Sequence, residues 1–476
     1  MIKKDVLRKN TRKHSAPSKI AAPLTVDRRS RADRRDEGKS MRLAVPLASH
    51  AQWQAPANRR DPVDLLIESS IGRMPELLPI RYGRMMQSPF AFYRGGAAIM
   101  AADLAGLPST GIRVQACGDC HLVNFGSFAT PERRQVFAIN DFDETLPAPW
   151  EWDIKRLAAS FVVAGRSNGF TAAEARESAQ ACARSYRERM REFSKMGVLD
   201  VWYFSIDMNA LIETLEDETA KLRAKKRFAK ARDRDVLDED FPELVTFEGG
   251  RHRIRDNPPL IYHLQDEEEA VVEARVIEAF ERYRATLAED RRVLLDHYEF
   301  KDVARKVVGV GSVGTRCSIM LFMGGADDPL FLQVKEARAS VLEPYAGQSS
   351  YSNHGQRVVM GQRLMLSSSD IFLGWTQTVK GEFYVRQMRD MKLKPLVELF
   401  TPSVMNEYAA LCGWTLAGAH ARSGDAAKIA GYLGKKEDFD EALADFSEAY
   451  ADQNEQDHHA LVQAVREGRL EAYLER

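Results

Sequence analysis

The chain has 476 residues and a net charge near −1, and its 44% hydrophobic and 29% charged residues are typical of a globular protein with two or three packed units. No apolar run approaches the roughly 20 residues that span a bilayer, and the balanced charge argues against a chain built to coat nucleic acid or a membrane. The five cysteines are odd in number and scattered, which argues against a disulfide framework and favours a reducing compartment, so we expect a cytoplasmic protein.

Residues 1–60 predict a basic, disordered tail. Lys and Arg outnumber Asp and Glu over residues 1–42, and too few large apolar residues are present to offset the entropy of ordering. Contact with an anionic surface or with nucleic acid is the alternative for this segment. The apolar stretch from Leu43 to Ala51 is short and broken by Pro46 and His50, which fits a signal peptide poorly.

Residues 61–200 predict the first half of a helical unit, because apolar residues recur at helical spacing from Pro62 onward. Three arginines lie between the first predicted helices of this unit. As planar, permanently charged groups they would reach phosphate, whereas pairing with local carboxylates is the alternative that we favour. These arginines are Arg81, Arg84 and Arg94.

The stretch from Cys117 to Asn124 reads Cys-Gly-Asp-Cys-His-Leu-Val-Asn and is the most informative of the chain. Asp119 and Asn124 have the spacing of the protein-kinase catalytic loop, in which the Asp accepts the proton of the acceptor hydroxyl and the Asn holds Mg²⁺. Asp141 and Asp143 directly follow a predicted apolar strand, where a kinase places its second metal-binding carboxylate. Because Mg²⁺ prefers oxygen ligands, we assign catalysis to Asp119 and metal binding to Asn124, Asp141 and Asp143.

The side chains around this motif admit two interpretations each. Cys117 and Cys120 suggest metal–thiolate chemistry, but a closed zinc site needs further ligands that no second Cys-x-x-Cys supplies. His121 would support the loop by hydrogen bonding or contact a phosphate, and we favour support. Asp153 lies at the start of a predicted helix, and we favour capping of free backbone N–H groups by its carboxylate over a catalytic role.

Residues 201–300 predict a mostly helical connector with a hairpin at Gly249-Gly250. The basic run from Lys221 to Arg234 predicts a solvated helix face, with docking of an acidic partner as the alternative. A helix from Asp266 to about His297 would be about 45–50 Å long, enough to bridge two lobes.

Residues 301–392 predict a β-rich nucleotide-binding lobe. Gly309, Gly311 and Gly314 form a G-x-G-x-x-G pattern, which a predicted strand follows instead of the helix of a dinucleotide fold. That order suits the glycine-rich flap of a kinase, so these glycines and Ser312 would cover the phosphates. The next predicted strand presents Lys335, which would neutralise the phosphates and act in catalysis beside Asp119.

Two further assignments in this lobe depend on position alone. The acid that holds Lys335 would be Glu343, unless Gln362 on the following helix takes its place. Gln387 and Met388 lie at the exit of a predicted strand pair, where a kinase hinge offers backbone groups to adenine, so we assign them to nucleotide binding.

Residues 393–476 predict helices that complete the catalytic lobe, and the last two are expected at Phe439 to Tyr450 and at His458 to Tyr473. The segment from His420 to Asp425 resembles a catalytic loop, but Ala430 stands where the loop needs Asn, so we prefer Asp119. Because the Asp119 motif precedes the glycine pattern, which reverses the order in kinases, the sequence predicts a circularly permuted fold. The expected class is α+β, a protein-kinase-like two-lobe fold with a mostly β nucleotide lobe and a helical catalytic lobe.

These motifs together resemble a known bacterial group, domain-of-unknown-function family 2252 (DUF2252). The family name implies no established reaction. The Gly-Asp-x-His-x-x-Asn pattern is also similar to small-molecule phosphotransferases of the aminoglycoside and choline kinase type, which usually carry His where Cys117 stands. The resemblance to DUF2252 covers nearly the whole chain after residue 60 and includes residues 81–85, 118–126, 140–144, 307–316, 333–337 and 419–425.

The sequence therefore predicts a phosphotransferase that moves the γ-phosphoryl group of ATP, with Mg²⁺, to the hydroxyl of a small molecule or a protein. Transfer of AMP on the same fold and a non-catalytic ATP-binding regulatory module are the alternatives. A nucleic-acid-binding protein would use the two basic runs, but these lack interleaved aromatic residues for base stacking. We therefore expect neither a nucleic-acid partner nor a membrane span.

Overall fold

The computed structural model describes residues 20–213, 218–219, 221–223, 225–226, 244–263, 269–307, 309–325, 328–388 and 395–474. Its architecture is mixed α+β, with a body of helices and several antiparallel sheets. No helix in these ranges combines the length and the apolar character that crossing a membrane requires.

The elements have the following bounds. The α-helices are α1 (Arg31–Ser40), α2 (Pro62–Ser70), α3 (Leu78–Met86), α4 (Pro89–Gly95), α5 (Ala97–Leu104), α6 (Trp150–Ser167), α7 (Ala172–Phe193), α8 (Val198–Tyr203), α9 (Met208–Glu213), α10 (Glu269–Arg284), α11 (Glu289–Leu295), α12 (Glu343–Ala346), α13 (His354–Met365), α14 (Pro402–Ser423), α15 (Ala426–Leu433) and α16 (Asp438–Arg466). The strands are β1 (Arg113–Ala116), β2 (Phe125–Ala129), β3 (Gln135–Ile139), β4 (Leu146–Pro149), β5 (Ile206–Asp207), β6 (Val245–Glu248), β7 (Arg251–Ile254), β8 (Ile261–Tyr262), β9 (Glu299–Lys306), β10 (Cys317–Gly324), β11 (Asp328–Ala337), β12 (Gly374–Thr378) and β13 (Gly381–Gln387).

The largest sheet has six antiparallel strands in the order β12-β13-β11-β10-β9-β8. Ile319 and Leu321 of β10 pack in one apolar cluster with the β6–β7 hairpin, and Met320 and Phe322 pack in another with Tyr283 of α10. Successive side chains of a strand point to opposite faces, so burial of both faces explains the unbroken apolar run of β10. We call β6–β13 with α10 and α11 the sheet unit; it begins well before the predicted lobe boundary at residue 301.

The helical body is built around α6, α7, α14 and α16, whose apolar faces form the largest core cluster. The Trp150 and Tyr186 rings of this core stack at 5.7 Å with an angle of 5° between them. A capping box starts α7, because Thr171 accepts from the Glu174 backbone N and Glu174 accepts from the Thr171 backbone N. Large aromatic rings contribute most of the apolar area that such a core buries.

The prediction of a disordered tail is wrong for residues 20–60, while residues 1–19 lie outside the described residues. Ser30 caps α1, and α1 packs closely on α15: a Cβ on Gly38 would lie 2.0 Å from the Lys428 carbonyl oxygen. Arg34 pairs with Asp425 at 3.0 Å. Composition did not predict α1, because some of its charged residues form ion pairs with a distant segment instead of facing only solvent.

Two predicted helices have other bounds in the structure. The predicted helix up to His297 is divided, since α10 ends at Arg284 and α11 begins at Glu289, and Asp266 lies outside the described residues. With 16 residues α10 is about 24 Å long, and it packs on the sheet instead of bridging two lobes. The two predicted C-terminal helices are one, α16, of 29 residues.

The polar stretch in the middle of α16 explains why the sequence predicted two helices where the structure has one. Asp457 accepts from Arg59 at 2.6 Å, and Asn454 donates to the Pro89 carbonyl oxygen at 2.9 Å. These residues are polar but buried, so sequence periodicity shows a gap where the helix is continuous. Of the basic run 221–234, only residues 221–223 and 225–226 are described.

Candidate functional site

A cavity of about 1180 Å³ brings most of the predicted site residues together. We call it the central cavity, since both the helical body and the sheet unit line it. Gly314 and Gln387 are the predicted residues outside its lining. A second cavity of about 700 Å³, between the sheet and α10, contains none of the predicted residues. Those that line the central cavity are Asp119, Asn124, Asp141, Asp143, Gly309, Gly311, Ser312, Lys335 and Met388.

The Asp119 loop, residues 117–124, is held in place by Asp153 from the first turn of α6. The Asp153 carboxylate accepts hydrogen bonds from the backbone N of Cys117 at 2.7 Å and of Gly118 at 2.9 Å. His420 Nε2 of α14 lies 3.2 Å from the same carboxylate. The interpretation of Asp153 as a helix cap is therefore wrong, because its carboxylate binds the loop that carries Asp119.

The two cysteines of this loop belong to the same buried cluster, in which ligand atoms of Cys117, Cys120 and Asp153 lie within 4.8 Å of one another. A hydrogen bond to Cys120 and burial raise the pKa of the Cys117 thiol, and burial raises the pKa of Cys120 to about 12. Neutral thiols are poor metal ligands. The cluster thus supports loop packing better than metal–thiolate chemistry.

Gly118 has a φ of +85°, and a Cβ there would lie 2.4 Å from the Glu144 carbonyl oxygen. We expect Gly118→Ala to destabilise the fold by about 3 kcal/mol, because backbone strain and a backbone clash add together. Urea denaturation measures the loss. Gly169→Ala is the matched control, since Gly169 has a φ of +77° with nothing within 4 Å, and should cost only about 1 kcal/mol. Equal losses in both variants would contradict this account.

The β2–β3 hairpin places Asn124 beside the segment that carries Asp141. Phe125 pairs with Ile139 at the end of the hairpin, and the Asn140 backbone N donates to the Asn124 carbonyl oxygen at 2.8 Å. Asn124 Nδ2 donates to the Asp119 carbonyl oxygen at 2.8 Å, so the amide oxygen remains as an acceptor. One hairpin therefore positions an amide oxygen and a carboxylate on the same cavity.

Asp119 forms an ion pair with Arg156, a residue that the sequence did not point to. Asp119 Oδ1 accepts from Arg156 Nε at 2.8 Å and also from Nη2. Burial raises the pKa of Asp119, and Arg156 opposes that rise without cancelling it. A carboxylate with a raised pKa is a better proton acceptor near neutral pH.

Lys335 of β11 contacts two carboxylates that come from the opposite wall of the central cavity. Its Nζ lies 2.9 Å from Asp143 Oδ2 and 4.0 Å from Asp141 Oδ1. The expected acid partner Glu343 is wrong, because Glu343 accepts from the Ser340 backbone N and lies 3.7 Å from His354. The alternative Gln362 lines a separate small cavity.

Tyr384 completes the environment of Asp143 by donating to its Oδ1 at 2.6 Å. Tyr384 is the cross-strand partner of Lys335 in the β11–β13 register. Because directly opposite residues share one face of a sheet, strand pairing was the signal that would have found it. The sequence alone does not specify the register of β11 and β13.

Lys335 and its two carboxylates shift one another's pKa values. Burial alone would lower the pKa of Lys335, but Asp141 and Asp143 outweigh burial and raise it. Burial would raise the pKa of Asp143, yet Lys335 and Tyr384 lower it, whereas burial and the neighbouring Asp143 leave the pKa of Asp141 raised. Lys335 and Arg386 together balance the charges of Asp141 and Asp143, so the case for Mg²⁺ here rests on the oxygen ligands that the cluster offers.

The glycine loop, residues 309–315, is docked onto the helical body. The Met74 backbone N donates to the Gly314 carbonyl oxygen at 2.7 Å, and Arg73 Nη1 donates to the Val313 carbonyl oxygen at 2.6 Å. A strand follows the loop, as the sequence predicted. The loop therefore lies over the central cavity and contacts both walls.

The tip of the glycine loop lies next to Asp119. A Cβ on Gly311 would lie 3.9 Å from Asp119 Oδ2 and 3.6 Å from the Arg94 carbonyl oxygen. Ser312 Oγ donates to Asp143 Oδ2 at 3.3 Å. These contacts bring the predicted glycine loop, base and metal ligands into one site.

The backbone N–H groups of Gln387 and Met388, which we predicted to contact adenine, form other hydrogen bonds in the structure. The Met388 backbone N donates to the Phe331 carbonyl oxygen at 3.0 Å, and the Gln387 backbone N donates to Asp370. Both N–H groups are thus engaged inside the sheet unit, which contradicts their use as donors to adenine. The Met388 residue itself lines the central cavity, and residues 389–394 lie outside the described residues.

Comparison with known proteins gives one match. A family model described as an uncharacterised protein conserved in bacteria (DUF2252) matches residues 73–464. No curated protein and no solved structure matches the chain. The matched range includes both the Asp119 loop and the glycine loop.

Proposed function

The chain belongs to the DUF2252 family, whose description names no reaction, and from its central cavity we propose that it is a kinase-like phosphotransferase. It would move the γ-phosphoryl group of ATP to a hydroxyl acceptor on a circularly permuted, kinase-like two-lobe fold. One observation carries the proposal: Asp119, Asn124 and the Asp141–Lys335–Asp143 cluster line one cavity beneath a glycine loop. A family of binding proteins would have no need for a base in that position.

Asp119 would accept the proton of the acceptor hydroxyl. Arg156 fixes the orientation of its carboxylate, and burial raises its pKa, so the group is both positioned and basic. Positioning is the larger part of catalysis in phosphoryl transfer, because the protein has little covalent chemistry to perform. Asp153 acts through the loop backbone and is a positioning residue.

Asn124 and Asp141 would hold Mg²⁺, which would neutralise charge on the phosphates. The fit rests on their oxygen donors, which are the ligands that Mg²⁺ prefers. Asp143 accepts from Lys335, Tyr384 and Ser312, so it is a weaker candidate ligand than the sequence suggested. Lys335 would exchange part of its contact with Asp143 for a phosphate oxygen.

Titration calorimetry of ATP, with and without Mg²⁺, tests the proposal. We expect the wild-type chain to bind ATP at least about tenfold more tightly with Mg²⁺, and Asp141→Asn to lose that difference. Asp452→Asn is the control, since Asp452 is an exposed carboxylate of α16 outside the central cavity. A wild-type chain without ATP affinity, or with an affinity indifferent to Mg²⁺, would overturn the proposal.

AMP transfer on the same site predicts different products. Phosphoryl transfer releases ADP, whereas nucleotidyl transfer consumes ATP and releases pyrophosphate. Chromatography of the nucleotides after incubation with Mg²⁺ therefore separates the two reactions. Accumulation of pyrophosphate without ADP would replace the phosphotransferase assignment by the nucleotidyl one.

A further inference from the structure

The central cavity contains more positive charge than the proposed nucleotide contacts use. Nine lysines and arginines line it, against six aspartates and glutamates. Three of these arginines contact α2, and a fourth precedes Gly95, whose carbonyl oxygen accepts from one of them; we call the four the arginine cluster. Its members are Arg73, Arg81, Arg94 and Arg338.

Neutral oxygens are the hydrogen-bond acceptors of this cluster. Arg81, only 2% exposed, donates to Ser70 Oγ at 3.0 Å and to the Gly95 carbonyl oxygen at 3.2 Å. Arg73 and Arg338 both donate to the Ser69 carbonyl oxygen. Within the described ranges, none of the four forms an ion pair with a carboxylate. The alternative that we favoured for Arg81 and Arg94, pairing with local carboxylates, is therefore wrong.

Two nitrogen atoms of the cluster have no hydrogen-bond partner among the described residues. These are Arg81 Nε and Arg94 Nε, and both atoms are buried. An unsatisfied buried donor is costly, and each such group in a native protein calls for an explanation. A ligand with several acceptor oxygens supplies one.

Repulsion within the cluster points to the same kind of ligand. Burial lowers the pKa of Arg81 to about 10 and that of Arg73 to about 9, and Arg81 and Arg338 add repulsion at Arg73. Arg81 and Arg73 both remain charged at neutral pH. Like charges held together without a carboxylate in direct contact are unfavourable, so a bound anion would stabilise the fold.

Arg94 connects the cluster to Asp119. The position of a Cβ on Gly311 is within 4 Å of both the Arg94 carbonyl oxygen and Asp119 Oδ2. Arg94 also lowers the pKa of Asp119 against the effect of burial. Arg94 is therefore the member of the cluster beside the proposed base, whereas Arg73 contacts the glycine loop at the Val313 carbonyl oxygen and Lys335 lies with Asp141 and Asp143.

We propose that the arginine cluster binds an anionic group, a phosphate or a carboxylate, on the acceptor molecule. The acceptor is then a hydroxyl compound that already carries a negative charge, an inference that rests on the proposed function. In the reaction the acceptor O–H gives its proton to Asp119, its oxygen bonds to the γ-phosphorus, and the bond from that phosphorus to the β-phosphate oxygen breaks, which releases ADP. Charge-assisted hydrogen bonds from arginine forks give such an acceptor both affinity and orientation.

Calorimetric titration with inorganic phosphate tests this subsite in the full chain. The nucleotide position is first filled with Mg²⁺ and an ATP analogue whose β–γ bridging oxygen is replaced by NH. We expect phosphate to bind the wild type, and Arg94→Gln to weaken it at least about tenfold, with Arg94→Lys in between. Arg60→Gln, which removes an arginine of the same cavity that already pairs with Glu68, should leave phosphate affinity within about twofold.

A parallel titration with acetate shows whether the subsite prefers carboxylate or phosphate. Thermal denaturation of each variant shows that it is folded. Equal phosphate affinity in the wild type and in Arg94→Gln, or no phosphate binding by the wild type, would overturn the inference. If the ATP analogue itself fails to bind, the proposed function fails, and phosphate titration of the chain without nucleotide still decides whether the arginine cluster binds an anion.

Discussion

Replacing Asp119 by asparagine is expected to reduce the rate of phosphoryl transfer by about 10²–10⁴-fold, the usual contribution of a positioned general base. Asparagine keeps the shape of the side chain and the backbone contact from Asn124, but it does not accept the proton. ATP turnover under single-turnover conditions measures the loss. The nucleotide affinity should change little, because the base contacts the acceptor.

The same substitution leaves Arg156 buried without its counter-charge, which typically costs about 3–5 kcal/mol of stability. The double variant Asp119→Asn with Arg156→Gln separates the two effects, since it removes both charges. We expect the double variant to regain stability in urea denaturation while the rate stays low. Recovery of the rate along with the stability would show that Asp119 serves the fold and not the reaction.

Replacing Lys335 by methionine is expected to weaken ATP binding and to lower turnover by about 10²–10³-fold in total, because the cation that would meet the phosphates is lost. Calorimetry measures the loss of ATP affinity, and an ATP turnover assay measures the loss of rate. Lys301→Met is the matched control: Lys301 lies on β9 of the same sheet, its Nζ pairs with Glu299 at 2.7 Å, and it does not line the central cavity. Equal losses in both variants would contradict a specific role for Lys335.

The Lys335 variant should also change how stability depends on pH. In the wild type the pKa of Asp143 is below its ordinary value of 3.8, so its stabilising effect is present above that pH and is lost as the pH falls. Without Lys335, burial and mutual repulsion raise the pKa values of Asp141 and Asp143. A raised carboxylate pKa removes stability as the pH rises, so the gap between wild type and variant should widen from about pH 4.5 to about pH 7.5. A gap that narrows over this range would contradict the charge balance described here.

The parts of the fold that local pattern specifies were predictable from the sequence. The apolar run of β10 follows from burial of both sheet faces, and the β6–β7 hairpin lies where Gly249-Gly250 predicted a turn. The Asp119 loop was recognisable because its chemistry requires fixed residue types at fixed spacing. Spacing along the chain carries that information without knowledge of the fold.

Contacts between distant segments were not predictable in the same way. Arg156 looks like any helical arginine until α6 packs beneath the Asp119 loop, and Tyr384 becomes a neighbour of Asp143 only through the β11–β13 register. The role of α1 depends on α15, which is far away in the sequence. In each case tertiary packing determines the partner of a polar residue, and local helix or strand propensity does not predict that partner.

The support of the Asp119 loop by Asp153 and His420 has a consequence for biosynthesis. Because synthesis proceeds from the N-terminus, the loop leaves the ribosome about 300 residues before the histidine that completes its support. A nascent or truncated polypeptide would display the motif without the rigid frame that orients it. The site around Asp119 would therefore acquire its working geometry only after the whole chain has been synthesised.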